Sequence, residues 1–137
     1  MIRLSRTTLE GMVSHCLDAH PLEACGLLAG VSGEDARADV RSFFPAENVS
    51  ASARLYEVDP RAMLSADRQA EQDGQQLIGV YHSHTHTEAR PSSTDVRQAP
   101  DPGWHYVLIS LRDAHPSVRS WRILEGKITE EPVVLQW

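Results

Sequence analysis

Leu77-Ile78-Gly79-Val80-Tyr81-His82-Ser83-His84 is an apolar run that ends in two imidazoles, and the rest of the chain is best read outward from it. A short apolar run suits a buried strand, and side chains two apart on a strand point to one face. His82 and His84 are therefore placed to grip one ion together. Further on, Pro91-Ser92-Ser93-Thr94-Asp95 follows a Thr-rich loop, and Asp95, eleven residues after His84, is expected to return at the start of a helix as a third ligand. Two imidazoles, one carboxylate and an open fourth position make a hydrolytic metal centre, and this donor set favours zinc.

Upstream, Thr7 or Thr8 is the expected cap of a helix that carries Leu9, Met12, Val13, Cys16 and Leu17 on one face and ends at His20-Pro21. Cys25 to Val31 reads as a buried strand, with Ala38 to Phe44 as its antiparallel neighbour and Tyr56-Glu57-Val58 as a further short strand. Asp59 caps a second helix with Pro60 at its first position, and Gly74 stops it after Asp73. Trp104 to Leu111, Val118 to Leu124 and Lys127 to Glu130 complete the sheet, the last two joined by a tight turn at Glu125-Gly126. Helices interleaved with strands, then consecutive late strands, predict a mixed α/β (α+β) fold in one domain over residues 1–137.

The charge balance narrows the function. Thirteen basic residues stand against nineteen acidic ones, for a net charge of −6 and no basic run, which argues against nucleic acid as the partner. No apolar run approaches the ~20 residues of a membrane span, and the first residues lack the apolar core of a signal peptide. The expectation is a soluble, cytoplasmic protein with no membrane partner. Cys16 and Cys25 read as reduced core residues, in keeping with that compartment.

A metallohydrolase also needs a base for water and a donor for the oxyanion. Glu23, in Pro21-Leu22-Glu23-Ala24-Cys25-Gly26, and Ser92 are the candidates. By composition alone Glu23 would be a solvated loop residue. A carboxylate at the entry to a buried strand, however, needs a partner, and a metal-bound water would supply one. His86 continues the alternation but falls in the loop, and the His-x-His-x-Asp-His pattern of metallo-β-lactamase-like hydrolases is absent. His15, His20, His105 and His115 read as structural or exposed, and Phe43, Trp104, Tyr106 and Trp121 as core.

Taken together, Glu23, then His82-x-His84, seven residues, Ser92, two residues and Asp95 resembles the signature of the JAMM/MPN+ metalloprotease family. The resemblance implies a mixed, mostly antiparallel sheet flanked by helices, of cytidine-deaminase-like type. It also implies one Zn2+ held by His82, His84 and Asp95, with Glu23 as general base and later acid to the leaving amine, and Ser92 stabilising the oxyanion. The segments Glu23-Ala24-Cys25-Gly26, Thr87-Glu88-Ala89 and His105-Tyr106-Val107-Leu108 resemble the small bacterial members that act on ubiquitin-like sulfur-carrier proteins. The implied partner is such a carrier ending in Gly-Gly, and the implied reaction releases cysteine from a carrier–cysteine adduct in cysteine biosynthesis. Trimming of a carrier, removal of a ubiquitin-like modifier, a non-catalytic binding module of the same fold and a homodimer all stay open at this point.

Overall fold

In the computed structural model, which describes residues 1–136, the chain enters through a short strand, β1 (Ile2–Ser5), that runs directly into α1 (Arg6–Ala19). Thr7 and Thr8, the expected caps, lie inside the first turn. Ser5 is the cap, its Oγ accepting the Thr8 N–H at 3.0 Å and so satisfying a donor that a helix start leaves unpaired. After His20 come the hairpin strands β2 (Cys25–Ser32) and β3 (Ala38–Ala46). The segment expected as a strand at Tyr56–Val58 makes only one bridge, Val58 to Asn48, because Asn48 holds this loop through its side chain instead. Asp59 caps α2 (Pro60–Gln72) by accepting the Arg61 N–H, and Gly74 beyond it takes φ +69. Then follow β4 (Gln76–His84), α3 (Ser93–Arg97), β5 (His105–Ser110), β6 (Ser117–Leu124), β7 (Lys127–Glu131) and β8 (Val133–Gln136). Glu125 and Gly126, both at positive φ, make the β6–β7 turn.

The strand order is β7-β6-β5-β4-β2-β3-β1-β8, with four antiparallel and three parallel neighbours. The sheet is thus mixed, as expected, and β4 runs through its middle. β7 and β8 stand at opposite ends of this order, yet only Pro132 separates them in the chain. The chain therefore draws the two ends of the sheet together, with Ile2 N–H donating to the Pro132 carbonyl at 3.0 Å.

Glu131 fastens this seam. Its Oε2 accepts from His105 Nδ1 at 2.6 Å and Ser120 Oγ at 2.7 Å, and its Oε1 lies 2.8 Å from the Met1 amino nitrogen. Burial alone would raise the Glu131 pKa, but these bonds outweigh it and hold the carboxyl down at about 2, against an ordinary 4.5. A carboxyl depressed on folding contributes stability above its unfolded pKa and loses it as the pH falls towards the folded one. The depression corresponds to about 3 kcal/mol at neutral pH. Glu131→Gln is expected to lower the melting temperature at pH 7 and to flatten the acid limb below pH 4.5; an unchanged pH–stability curve would remove Glu131 from that role.

Two apolar layers form on the two faces. Met12 and Cys16 of α1 pack on Ile2, Leu4, Leu28, Tyr81, Val107 and Ile109, all fully or almost fully buried. Each such apolar side chain contributes about 1.5–3 kcal/mol by leaving water. The other face packs Cys25, Val80, Tyr106, Leu108, Trp121 and Ile123. Between β2 and β4 the register shifts, with Leu28 opposite Gly79 but Ala29 opposite Leu77, so Ile78 is an extra, bulged residue. Ile78 consequently points into the α1 layer, while Val80 faces the opposite layer. Beyond the bulge the ordinary alternation carries Val80, His82 and His84 along that second face.

Candidate active site

β4 ends in His82 and His84, which the parallel β5 and antiparallel β2 hold in register: Cys25 is opposite His82 on one side, Leu108 and Ser110 opposite His82 and His84 on the other. The Nε2 atoms of the two imidazoles are 3.2 Å apart. Asp95 comes to them from the first turn of α3, its Oδ2 at 3.2 Å from His82 Nε2 and 3.0 Å from His84 Nε2. Ser92 is the N-cap of α3. Its Oγ accepts the Asp95 N–H at 3.1 Å, and Asp95 Oδ2 accepts the Ser92 N–H at 2.9 Å, a reciprocal capping box. That box fixes the carboxylate and still leaves the Ser92 O–H free to donate.

Glu23 arrives from the other direction, two residues before β2. Its N–H donates to the Ser52 carbonyl at 2.8 Å, and its carbonyl accepts from Asn48 Nδ2 at 3.0 Å. Ligand atoms of Glu23, His82 and His84 all lie within 4.8 Å of one another. All four residues are buried, with Glu23 3% and Asp95 5% exposed. The structure thus places the five residues singled out from the sequence around one point. The other histidines stay out of the cluster, as expected: His86 is an exposed loop residue at the cleft, with Nδ1 2.7 Å from Thr85 Oγ1, and His105 is committed to Glu131.

Several residues of this site gave no signal in the sequence. Tyr56 stacks on His82 with ring centroids 4.1 Å apart. Ser83 points to the opposite face and accepts the Ala24 N–H at 2.8 Å, tying the Glu23 segment to β4. The Glu88 carbonyl accepts from His84 Nδ1 at 2.8 Å, which in the neutral ring leaves the Nε2 lone pair facing His82 and Asp95. Only an aromatic and a carbonyl near the motif could have hinted at these contacts; their partners are decided by loop paths.

The electrostatics follow from burial. Desolvation lowers the pKa of His82, with Asp95 only partly opposing it. Desolvation also acts against charge on His84, but the bonds to Asp95 and the Glu88 carbonyl outweigh it and raise its pKa. Burial works against ionisation of Asp95 too, and the two imidazoles overcome it, holding the carboxyl well below its usual range. Glu23 has no such support: burial first, then the Asp95 charge, push it up to about 7 against the pull of His84.

The donor set fits a divalent ion. Three ligands of a tetrahedral ion at 2.0–2.1 Å lie about 3.3 Å apart, close to the observed triangle of 3.0–3.2 Å. Glu23 Oε1, beside this triangle, is buried without a hydrogen-bond partner, a polar atom that the protein alone does not satisfy. Above this floor opens a cleft of about 660 Å³ lined by Glu23, Ala53, Arg54, His84, Thr85, His86, Thr87 and Ser92.

A central strand delivering two imidazoles to two incoming carboxylates beneath an open cleft defines a candidate hydrolytic metal centre on a mixed α/β fold. The chain belongs to the prokaryotic homologs of the JAB domain, whose family profile matches residues 5–124. It is 44% identical over 126 residues to the CysO-cysteine peptidase of Mycobacterium tuberculosis, covering 91% of this chain and 84% of that protein. A probable TtuB-protein conjugate cleaving protease of Thermus thermophilus is 35% identical over 130 residues, 93% of this chain and 79% of the relative. Among solved structures, a protein from Desulfitobacterium hafniense superposes with a TM-score of 0.91 at 36% identity, over 99% of this chain and 93% of the other.

Proposed function

We propose that this chain is a zinc-dependent peptidase that hydrolyses the amide following the C-terminal Gly-Gly of a ubiquitin-like sulfur carrier and releases cysteine from a carrier–cysteine adduct. The observation that carries the reading is the convergence of His82 Nε2, His84 Nε2 and Asp95 Oδ2 beside the unpartnered buried carboxylate of Glu23. The likeness to a CysO-cysteine peptidase over most of the chain supports the substrate class. Two buried free cysteines favour a reducing compartment, and we place the reaction in the cytoplasm. No helix among the described residues is long and apolar enough to cross a membrane.

In this reading His82, His84 and Asp95 hold the ion, which supplies Lewis-acid activation of water and carbonyl. Glu23 takes a proton from the attacking water and delivers it to the leaving amine as the C–N bond breaks. A positioned carboxylate within reach of the water can serve both halves of that transfer. Ser92 donates its O–H to the carbonyl oxygen as negative charge gathers there. Ser92→Ala is expected to slow turnover by roughly ten- to a thousand-fold with the ion retained, and to cost about 1 kcal/mol of stability from the lost cap. Metal loss equal to the rate loss, measured by elemental analysis, would leave Ser92 a cap alone.

The test of function is mass spectrometry of CysO bearing a C-terminal cysteine, incubated with zinc-loaded enzyme and with Glu23→Gln. Loss of one cysteine with the wild type alone is expected. The Thermus relative favours a second reading, cleavage of carrier–protein conjugates, and a conjugate cleaved while the cysteine adduct stays intact would move the assignment there.

A further inference from the structure

Arg54 carries the one guanidinium among the residues lining the cleft over the His–His–carboxylate floor. Its side chain is exposed, and the guanidinium makes no hydrogen bond or ion pair among the described residues. Its backbone, in contrast, is pinned. Ser52 Oγ accepts the Arg54 N–H at 3.0 Å, the Ala53 carbonyl accepts from Thr85 Oγ1 at 3.2 Å, and Asn48 Nδ2 donates to the Leu55 carbonyl at 3.0 Å. The loop is joined to Glu23 as well, whose N–H donates to the Ser52 carbonyl at 2.8 Å. A fixed loop backbone thus carries Arg54, with its guanidinium uncommitted, at the cleft, and the same loop is hydrogen-bonded to the Glu23 backbone.

In the proposed reaction the leaving amine lies at Glu23, which gives it a proton. When the leaving group is a free amino acid, its carboxylate is one carbon away from that amine. When the amine belongs to a lysine side chain of a conjugated protein, no carboxylate is there. A guanidinium fork matches a carboxylate with two parallel N–H···O bonds, whereas it has little to offer a neutral amide in the same place.

Resting on the peptidase reading above, we propose that Arg54 is a specificity residue that binds the α-carboxylate of the departing amino acid, making the enzyme selective for single-residue adducts at a carrier tail over internal and side-chain amides. The net charge of −6 makes an uncommitted guanidinium in the cleft the natural place for an anionic leaving group.

The experiment compares kcat/KM for CysO ending in Gly-Gly-cysteine with CysO ending in Gly-Gly-cysteinamide, for wild type and Arg54→Gln. Wild type is expected to prefer the acid by about ten-fold or more, the effect of a charge-assisted bond at a partly solvated site. Arg54→Gln is expected to bring the acid down to the rate of the amide and leave the amide unchanged. Equal wild-type rates on acid and amide, or a preference that survives Arg54→Gln, would overturn the assignment. So would an equal loss on both substrates, which would make Arg54 a contact to the carrier body. Failure of wild type on both adducts would instead sink the peptidase reading itself, and this assignment with it.

Discussion

Glu23→Gln is expected to reduce turnover by about 10²–10⁴-fold, the usual worth of a positioned proton shuttle, while the protein stays folded and keeps its ion. Glu23 is 3% exposed, and its Oε1 has no hydrogen-bond partner. Its charged form is therefore disfavoured in the metal-free protein, with a pKa pushed up to about 7 chiefly by burial. A carboxyl whose pKa rises on folding contributes stability that is complete below its unfolded value and declines as the pH climbs through the folded one. Metal-free wild type should accordingly weaken between pH 4.5 and pH 7 and above on account of this group. The amide of Glu23→Gln does not titrate, so the metal-free variant should melt higher than metal-free wild type at pH 8, with the difference closing towards pH 4.5. Calorimetry with and without a chelator reads the stability, and the carrier assay reads the rate. Full activity in the variant would take the proton transfer away from Glu23.

Asp95→Asn is expected to have the opposite signature, with the ion lost and activity falling as a consequence. Asp95 Oδ2 lies within reach of both Nε2 atoms, at 3.2 and 3.0 Å, and its negative charge balances the proton or ion they hold. An asparagine oxygen can still accept the Ser92 N–H, so the cap of α3 survives and the loss is electrostatic. Affinity should fall by more than the roughly 10–100-fold that removal of a mere outer partner costs. Zinc titration of the metal-free proteins measures this directly. Because Glu23, His82 and His84 also lie within 4.8 Å of one another, the pair of variants tells ligand from base. If Asp95→Asn kept its zinc and Glu23→Gln lost it, the two carboxylates would exchange roles.

Both variants depend on the same feature of the fold, a central strand that ends where two unrelated segments converge. Much of that strand was legible beforehand. The apolar run before His82 and the two-residue spacing to His84 place both imidazoles on one face with no help from the rest of the chain. Asp59-Pro60, Gly74 and Glu125-Gly126 likewise mark their helix start, stop and turn, because a cap or a positive φ is a property of a few neighbouring residues. β1 and β8 escaped notice for the complementary reason. Four residues carry too little periodicity to stand out: β8 is a strand because β1 lies beside it, Val133 opposite Ile2 and Gln136 opposite Ser5, and β1 because it lies between β8 and β3, with Ile2 also opposite Ala38. Missing β1 also displaced the first cap from Ser5 to the threonines after it. The bulge at Ile78 was equally unreadable, since it answers a register shift against β2.

The sequence by itself determined the paired imidazoles, a carboxylate returning at the start of a helix eleven residues later, and an acidic, mixed α/β chain without a basic run. Tertiary structure alone decided that Glu23 is buried with a free oxygen, that Tyr56 stacks on His82, that Glu88 orients His84, and that Arg54 overlooks the cleft. The division has one physical cause. Strand alternation and helix capping are set by dihedral angles and hydrogen bonds within a few residues, whereas contacts between residues dozens of positions apart exist only once the whole chain has closed its loops around a common core.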